Sequence, residues 1–249
     1  MGENPASLVY VNRKKEACAK ANINVTVHAL KSATPQEELN KILTKLSANP
    51  ECHAILLQLP LPKHLNAREA IEHIAPNKDV DGLTVHNIGF LTIGEPKIIP
   101  CTPLGIYKIL EYLKVNLVGK NVTVLGRSVL VGRSVSLLLD QKDATVTTVH
   151  PYTINAEEIC KRSDILICAT GHRHLVNKNY VKEGAVVIDV GIIKNEYGSI
   201  TGDVDLNDVI HLCSYITPVP GGVGPMTIAS LLENTMRCCA LNSGKPNNH

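Results

Sequence analysis

From Asn121 onward, short strand-like segments of apolar and β-branched residues recur at close intervals, at 121–125, 145–149, 164–169, 185–190 and 214–217, with helical or loop segments between them. Strand–helix alternation of this kind predicts a parallel sheet with helices on both faces. The earlier part of the chain has a looser rhythm. The spacing predicts a helix over 7–20 with Ser7 as its cap, and the β-branched stretch INVTVHAL predicts a strand over 23–30. Thr34-Pro35-Gln36-Glu37 reads as a capping box that starts a helix to about residue 48. HAILLQL, at 53–59, is almost continuously apolar, as in a strand buried on both faces. Thr102-Pro103 opens a helix to about 114, and a last helix over 226–241 follows a proline- and glycine-rich loop and packs back on the first lobe. The pattern predicts two α/β lobes: 1–118 completed by 226–241, and 119–225, with 242–249 as a frayed tail. GENPAS at the start is turn-like with no strand ahead of it, so the first lobe reads as lacking its opening strand.

Composition narrows the function classes. A chain of 249 residues with 44% hydrophobic and 19% charged residues suits one large or two modest globular domains. The formal charge of +2 gives no basic surface for nucleic acid, and one Phe, seven Tyr and no Trp leave little for base stacking. No apolar stretch approaches the roughly 20 residues that span a bilayer. The eight cysteines are scattered, several in apolar periodic runs, and none forms a C-x-x-C pair. They read as thiols in a reducing compartment, not as zinc ligands.

Six short motifs carry candidate chemistry. GRSVLVGRS (126–134) places Gly126 at a strand end and a helix start near Ser128, which aims backbone N–H groups and the helix dipole at an anion. Gly132 lets that helix pack closely on the sheet. Arg127-Ser128 stands where a G-x-G-x-x-G fingerprint has its second glycine, so the loop alone reads equally as a nucleotide site or as a glycine turn with a solvated arginine. The next strand ends Val149-His150-Pro151 with no carboxylate to grip a ribose hydroxyl, and with Arg127 at hand this favours NADP. Tyr10 and Lys14 share a helix face, as an acid–base pair or a surface pair. The Y-x-x-x-K of short-chain dehydrogenases follows the nucleotide turn, whereas this one precedes it by over a hundred residues. QLPLP (58–62) puts Gln58 at a strand end, where open α/β sheets bind ligands; its plain alternative is a strand broken by prolines. PNKDVDG (76–82) holds Asp79 and Asp81 in a turn without the further acidic ligands of a calcium loop. PCTPLG (100–105) and PVPGGVGPMT (218–227) are rigid turns leading into helices, and His172 and His174 read as a solvated loop, with no metal site.

In this order and spacing the motifs S-x-x-Y-x-x-x-K, QLPLP, P-x-K-D-V-D-G, P-C-T-P-x-G, G-R-S-x-x-V-G and P-V-P-G-G-V-G-P-M-T cover essentially the whole chain. The sequence resembles the bifunctional methylenetetrahydrofolate dehydrogenase/cyclohydrolase family. The resemblance implies a Rossmann-like NAD(P)-binding lobe and an α/β substrate lobe lacking its usual first helix and strand. It implies oxidation of 5,10-methylenetetrahydrofolate to the methenyl form with NADP (NAD as the alternative), then hydrolysis to 10-formyltetrahydrofolate, in one-carbon metabolism and purine biosynthesis. Lys14 matches the family's catalytic lysine and Gln58 the glutamine that orients it. Tyr10 would pack on the folate ring system, and Asp81 would accept hydrogen bonds from the pterin edge. Leu59, Pro220, Gly221 and Gly222 would complete the substrate site, in the cleft between lobes. The cofactor would be held by Thr102, Gly126, Arg127, Ser128, Gly132, His150, Ala169, Thr170, Gly171, Val190, Ile192 and Thr227. Pro151 replaces a serine or arginine that relatives carry near the cofactor's phosphate, which removes one anion contact. A homodimer formed by the nucleotide lobes is implied, in the cytoplasm, or in the mitochondrial matrix if a transit peptide precedes this sequence. Two alternatives stand beside this: an NAD-dependent dehydrogenase with weak cyclohydrolase activity, and a non-catalytic module.

Overall fold

A computed structural model describes residues 5–194 and 198–243, with side chains from Tyr10 onward. The chain divides into two compact units, Met1–Cys101 with Ile228–His249, and Thr102–Thr227.

The first unit contains α1 (Pro5–Lys20), α2 (Gln36–Ala48), α3 (Ala67–Glu72) and α4 (Val85–Thr92). In α2, Leu39 and Leu43 lie one turn apart and are buried with Ile55, Leu65, Ala70 and Ile74. Four sequence-based expectations change here. Helix α1 starts at Pro5, so Ser7 lies inside the helix and is not its cap. Helix α2 starts one residue late for the capping box: Pro35 occupies the N-cap and gives no side-chain hydrogen bond, and Glu37 instead pairs with Lys41 one turn on at 2.7 Å. Segment 23–30 forms no strand and 53–59 forms a single parallel bridge, Ile55 to Asp79. β-Branched residues make a strand only when a neighbour takes their backbone groups and covers their apolar face. None of the described residues ladders with 23–30, and Val25 and Val27 stay 43% and 47% exposed.

The second unit begins with all but the first residue of α5 (Cys101–Tyr112) and continues through β1 (Asn121–Leu125), a π-helical turn (Val129–Arg133) and α6 (Ser134–Asp140). Next come β2 (Thr145–Val149), α7 (Ala156–Lys161), β3 (Ile165–Cys168), β4 (Val186–Asp189), β5 (Ile193–Lys194), β6 (Ile200–Thr201), α8 (Leu206–Val209), β7 (Tyr215–Ile216) and the first residues of α9 (Val223–Asn242), which from Ile228 onward belongs to the first unit. The main sheet is fully parallel, in the order β2-β1-β3-β4-β7. Side chains alternate between its two faces. Val122, Val124, Ile165, Ile167 and Ile188 pack with Ile106 and Leu110 of α5 and Val135 and Leu139 of α6. Leu125, Leu166, Cys168 and Val187 pack on the other side with Cys160, Val176, Val181, Val204 and Val209. Burial on both faces is why these strands read as continuous apolar runs. The packing of α5 on this sheet places the unit boundary at Thr102, ahead of the 118/119 step expected from the sequence.

Helix α9 starts three residues before the expected 226 and reaches Asn242, whose amide donates to the carbonyls of His53 and Asn77, both at 3.1 Å. The expected tail therefore does not begin at 242, and residues 244–249 lie outside the described residues. All eight cysteines are free thiols, and no described helix is long and apolar enough to cross a membrane.

Candidate active site and nucleotide turn

The sequence-predicted residues fall into two groups, one in each unit. In the first unit, α1 carries half-buried Tyr10 and Lys14 one turn apart. Lys14 Nζ donates to Gln58 Oε1 at 3.0 Å, a contact across 44 residues of chain. The Gln58 amide nitrogen donates to the Leu59 carbonyl at 2.7 Å, so its oxygen is turned to the ammonium. The adjoining Leu59–Pro60 peptide is cis.

Asp81 is set beside Lys14 by a turn that its neighbours hold rigid. Lys78 donates to the carbonyls of Ser47 and Asn49 at 2.8 and 2.7 Å, which satisfies acceptors left open at the end of α2. Buried Asp79 accepts from Thr84 N at 2.8 Å and from the Asn87 amide at 3.0 Å, which fixes the start of α4. Burial pushes the Asp81 carboxyl up from its ordinary value. The Lys14 charge and a hydrogen bond from the Cys101 thiol pull it back, and Asp79 adds to the rise. Burial likewise drives the Cys101 thiol well up, so it stays protonated beside the carboxylate.

Sequence reasoning missed two supports of this group. Asn234 on α9 donates to the carbonyls of Val80 and Ile99 at 2.9 and 2.8 Å, and so ties together the segments that carry Asp81 and Cys101. The signal was present as a lone amide on the helix face that also buries Leu231 and Cys238. Cys101 was read only as a turn residue, because its thiol's contacts, a hydrogen bond to the Val80 carbonyl at 3.3 Å and the neighbouring Asp81 carboxyl, leave no mark in spacing.

In the second unit, the remaining residues gather at the C-terminal ends of the parallel strands. The strand order reverses between β1 and β3, which is where open sheets of this kind place ligands. Gly126 follows β1 with φ +115°, and a Cβ there would strike the Ala169 carbonyl that follows β3. A Cβ on Gly132 would fall on the Gly126 carbonyl. Both positions therefore require glycine, whatever else the loop holds. Ser128 caps the π turn, its hydroxyl accepting from Val131 N at 3.2 Å. The first and third glycines of the fingerprint are five residues apart, whereas Gly126 and Gly132 are six apart, and a π turn takes up one residue more than an α turn. Arg127 and Ser128 are exposed at this turn.

The other candidates are distributed around it. Thr170 and Gly171 continue the turn after β3, and Val190 follows β4, donating to the Cys168 carbonyl at 2.9 Å. His150 opens a turn after β2 in which its Nδ1 accepts from Tyr152 N at 3.3 Å, and Pro151 is exposed beside it. Ile192 is exposed just before β5. Thr227 donates to Thr102 at 3.2 Å, joining the starts of α5 and α9. Pro220, Gly221 and Gly222 form the turn into α9, where a Cβ on Gly222 would strike the Pro218 carbonyl.

Residues 1–81 match the family model for the tetrahydrofolate dehydrogenase/cyclohydrolase catalytic domain, and residues 100–243 match that for its NAD(P)-binding domain. The chain belongs to this family. The bifunctional protein FolD of Thermodesulfovibrio yellowstonii is 47% identical over 241 residues, which is 97% of this chain and 84% of that one. Among solved structures, the bifunctional FolD of Campylobacter jejuni superposes with a TM-score of 0.93 at 43% identity, over 96% of this chain and 85% of that one. The Trypanosoma brucei dehydrogenase–cyclohydrolase, solved with NADP and an inhibitor, gives 0.91 at 38% identity over 96% and 84%. Within the tetrahydrofolate dehydrogenase/cyclohydrolase family pattern, Lys14, Gln58 and Asp81 lie in the catalytic-domain match, and the glycine turn lies in the NAD(P)-binding match.

The raised carboxyl of Asp81 sets a pH test. A folded-state value above the unfolded one means the native state holds more protons between the two, so this group's contribution to stability falls as pH rises through that window. Asp81→Asn is therefore expected to melt at or above the wild-type temperature at pH 7, with the gap closing as pH falls through about 4, where the Asp81 carboxyl becomes protonated in the unfolded chain as well as in the folded one. Thermal melts across that range check it; a variant less stable than wild type at pH 7 contradicts it.

Proposed function

We propose that this chain oxidises 5,10-methylenetetrahydrofolate with NADP and hydrolyses the methenyl product to 10-formyltetrahydrofolate, with folate on the first unit and the nucleotide on the second. The observation that carries the reading is the Lys14–Gln58 hydrogen bond beside partly buried Asp81, in a chain of this family. Hydrolysis adds water to a cationic methenyl carbon and then opens the bond from that carbon to the ring nitrogen N5. Lys14, as the neutral amine, takes a proton from the water and, as the ammonium so formed, returns it to the departing nitrogen, while the new hydroxyl loses its proton to solvent as it becomes the formyl carbonyl. Gln58 holds the lysine in place through its carbonyl oxygen. Asp81, with acceptor atoms only when ionised, takes the paired donors of the pterin's amino-pyrimidine edge. Tyr10, one turn before Lys14, and Leu59 flank the ring system.

The glycine turn fits a dinucleotide: its backbone comes so close that Gly126 and Gly132 admit no Cβ, and the Ser128-capped helical segment follows. Bound NADP supplies the hydride acceptor. Gly126, Ser128 and Gly132 form the cradle, and Arg127 reaches the 2′-phosphate. Thr102, His150, Ala169, Thr170, Gly171, Val190, Ile192 and Thr227 line the remainder. The absence of a carboxylate after β2 favours NADP over NAD, while Pro151 offers no donor to share the phosphate. We also assign the chain as a homodimer, to be read from its mass by light scattering at micromolar concentration, and place it in the cytoplasm, which suits its eight free thiols.

Lys14→Met is expected to abolish methenyltetrahydrofolate hydrolysis while NADP affinity by calorimetry stays at the wild-type value; hydrolysis near the wild-type rate overturns the role of Lys14. Arg127→Ala is expected to lower kcat/KM for NADP about tenfold or more relative to NAD, the worth of one charge-assisted hydrogen bond. Equal losses with both cofactors show instead that Arg127 supports the loop.

A further inference from the structure

Behind the turn that follows β3 lies a carboxylate that no candidate motif includes. Asp203 is fully buried, and its Oδ2 accepts from Thr170 N at 2.5 Å and Gly171 N at 3.3 Å. Its Oδ1 has no hydrogen-bond partner among the described residues. A second buried carboxylate, Asp189 at the end of β4, braces the same strip. It accepts from Gly191 N at 2.9 Å and from the backbone N–H groups of Asp203 and Val204, each at 3.0 Å. Glycine is required on both sides of this lock. A Cβ on Gly191 would overlap the Asp203 carboxylate, and one on Gly202 would overlap the carboxylate of Asp189. Two acidic side chains thus fasten the loops after β3 and β4 to the single strip 202–204.

Resting on the reading that Ala169–Gly171 lies at the cofactor, we propose that Asp203 is a positioning residue that holds this turn, and through it the nucleotide, by taking the N–H groups of Thr170 and Gly171. The chemistry favours this over a packing role. Burying a carboxylate is costly unless it is hydrogen-bonded, and here both of its accepted bonds go to one two-residue turn. With those N–H groups committed inward, the turn has neither of these amide donors left for a phosphate. It therefore faces an uncharged part of the nucleotide, while the turn at 126–134 takes the phosphates. Removing the carboxylate leaves two amide donors to turn outward and frees the segment that follows β3.

Asp203→Asn and Asp203→Ala in the full chain test this, the isosteric Asn variant standing if the Ala variant does not fold. The readouts are NADP Kd by calorimetry, the backbone amide resonances of Thr170 and Gly171, and methenyltetrahydrofolate hydrolysis measured without nucleotide. The alanine variant is expected to raise the NADP Kd about tenfold or more, equivalent to about 1.4 kcal/mol, and the asparagine variant, which keeps one acceptor oxygen, by less. In both, the two amide protons move upfield from their carboxylate-bonded positions, and hydrolysis persists because it needs no nucleotide. Wild-type Kd in both variants overturns the proposal, as does a parallel loss of NADP binding and hydrolysis in the Asn variant. Thr170 and Gly171 resonances that do not respond to NADP in the wild-type chain overturn the placement of the turn at the cofactor, and the proposal with it. That result is read before any variant is made, so the two failures are distinguishable.

Discussion

Where β1 and β3 end side by side, the backbone after one presses on the backbone after the other: Gly126 meets the Ala169 carbonyl, and Gly132 meets Gly126. No side chain fits at either contact. This approach brings the Ser128-capped turn, Arg127 and the Ala169–Gly171 segment to one edge of the sheet, at the point where strand order reverses. Below it β1, β3 and β4 are buried on both faces, so their ends have little freedom to shift. A rigid sheet with close-packed turns above it is what a bound dinucleotide requires.

The first unit works by a different constraint. It places a carboxylate, an ammonium and a thiol near one another with little regular sheet beneath them, and fixes them by hydrogen bonds to loop backbone. Lys78 closes the end of α2, Asp79 fixes the start of α4, and Asn234 ties the carbonyls of Val80 and Ile99. Asp81 faces Lys14 closely enough for the ammonium to offset part of its burial. The turn that reads from sequence as a pair of acids thus divides into one structural aspartate and one aimed at the lysine.

Much of this was legible beforehand, for physical reasons that differ between the units. The three central strands of the parallel sheet, β1, β3 and β4, stood out because burial on both faces leaves apolar runs, while the outer strands β2 and β7, more exposed, were marked by their β-branched and aromatic residues. Segments 23–30 and 53–59 share that composition, yet one forms no strand and the other a single bridge, since strand propensity says nothing of whether a partner is present. Lys14, Gln58 and Asp81 were found through motif order, and the Lys14–Gln58 contact joins residues that no local pattern relates. Asp203 went unread because its partners are backbone N–H groups, which any sequence supplies. The capping box failed by a single residue of register, a distance that helix-start signals do not resolve.

Oxidation and hydrolysis on one chain are tested most directly by a single progress curve, with the wild-type protein, 5,10-methylenetetrahydrofolate and NADP in one cuvette. NADPH, the methenyl compound and 10-formyltetrahydrofolate are followed together against a protein-free control for the non-enzymatic decay of the methenyl compound. The expected result is that 10-formyltetrahydrofolate keeps pace with NADPH while the methenyl compound stays at a low steady level. Methenyl compound accumulating mole for mole with NADPH, and decaying no faster than in the control, would contradict it.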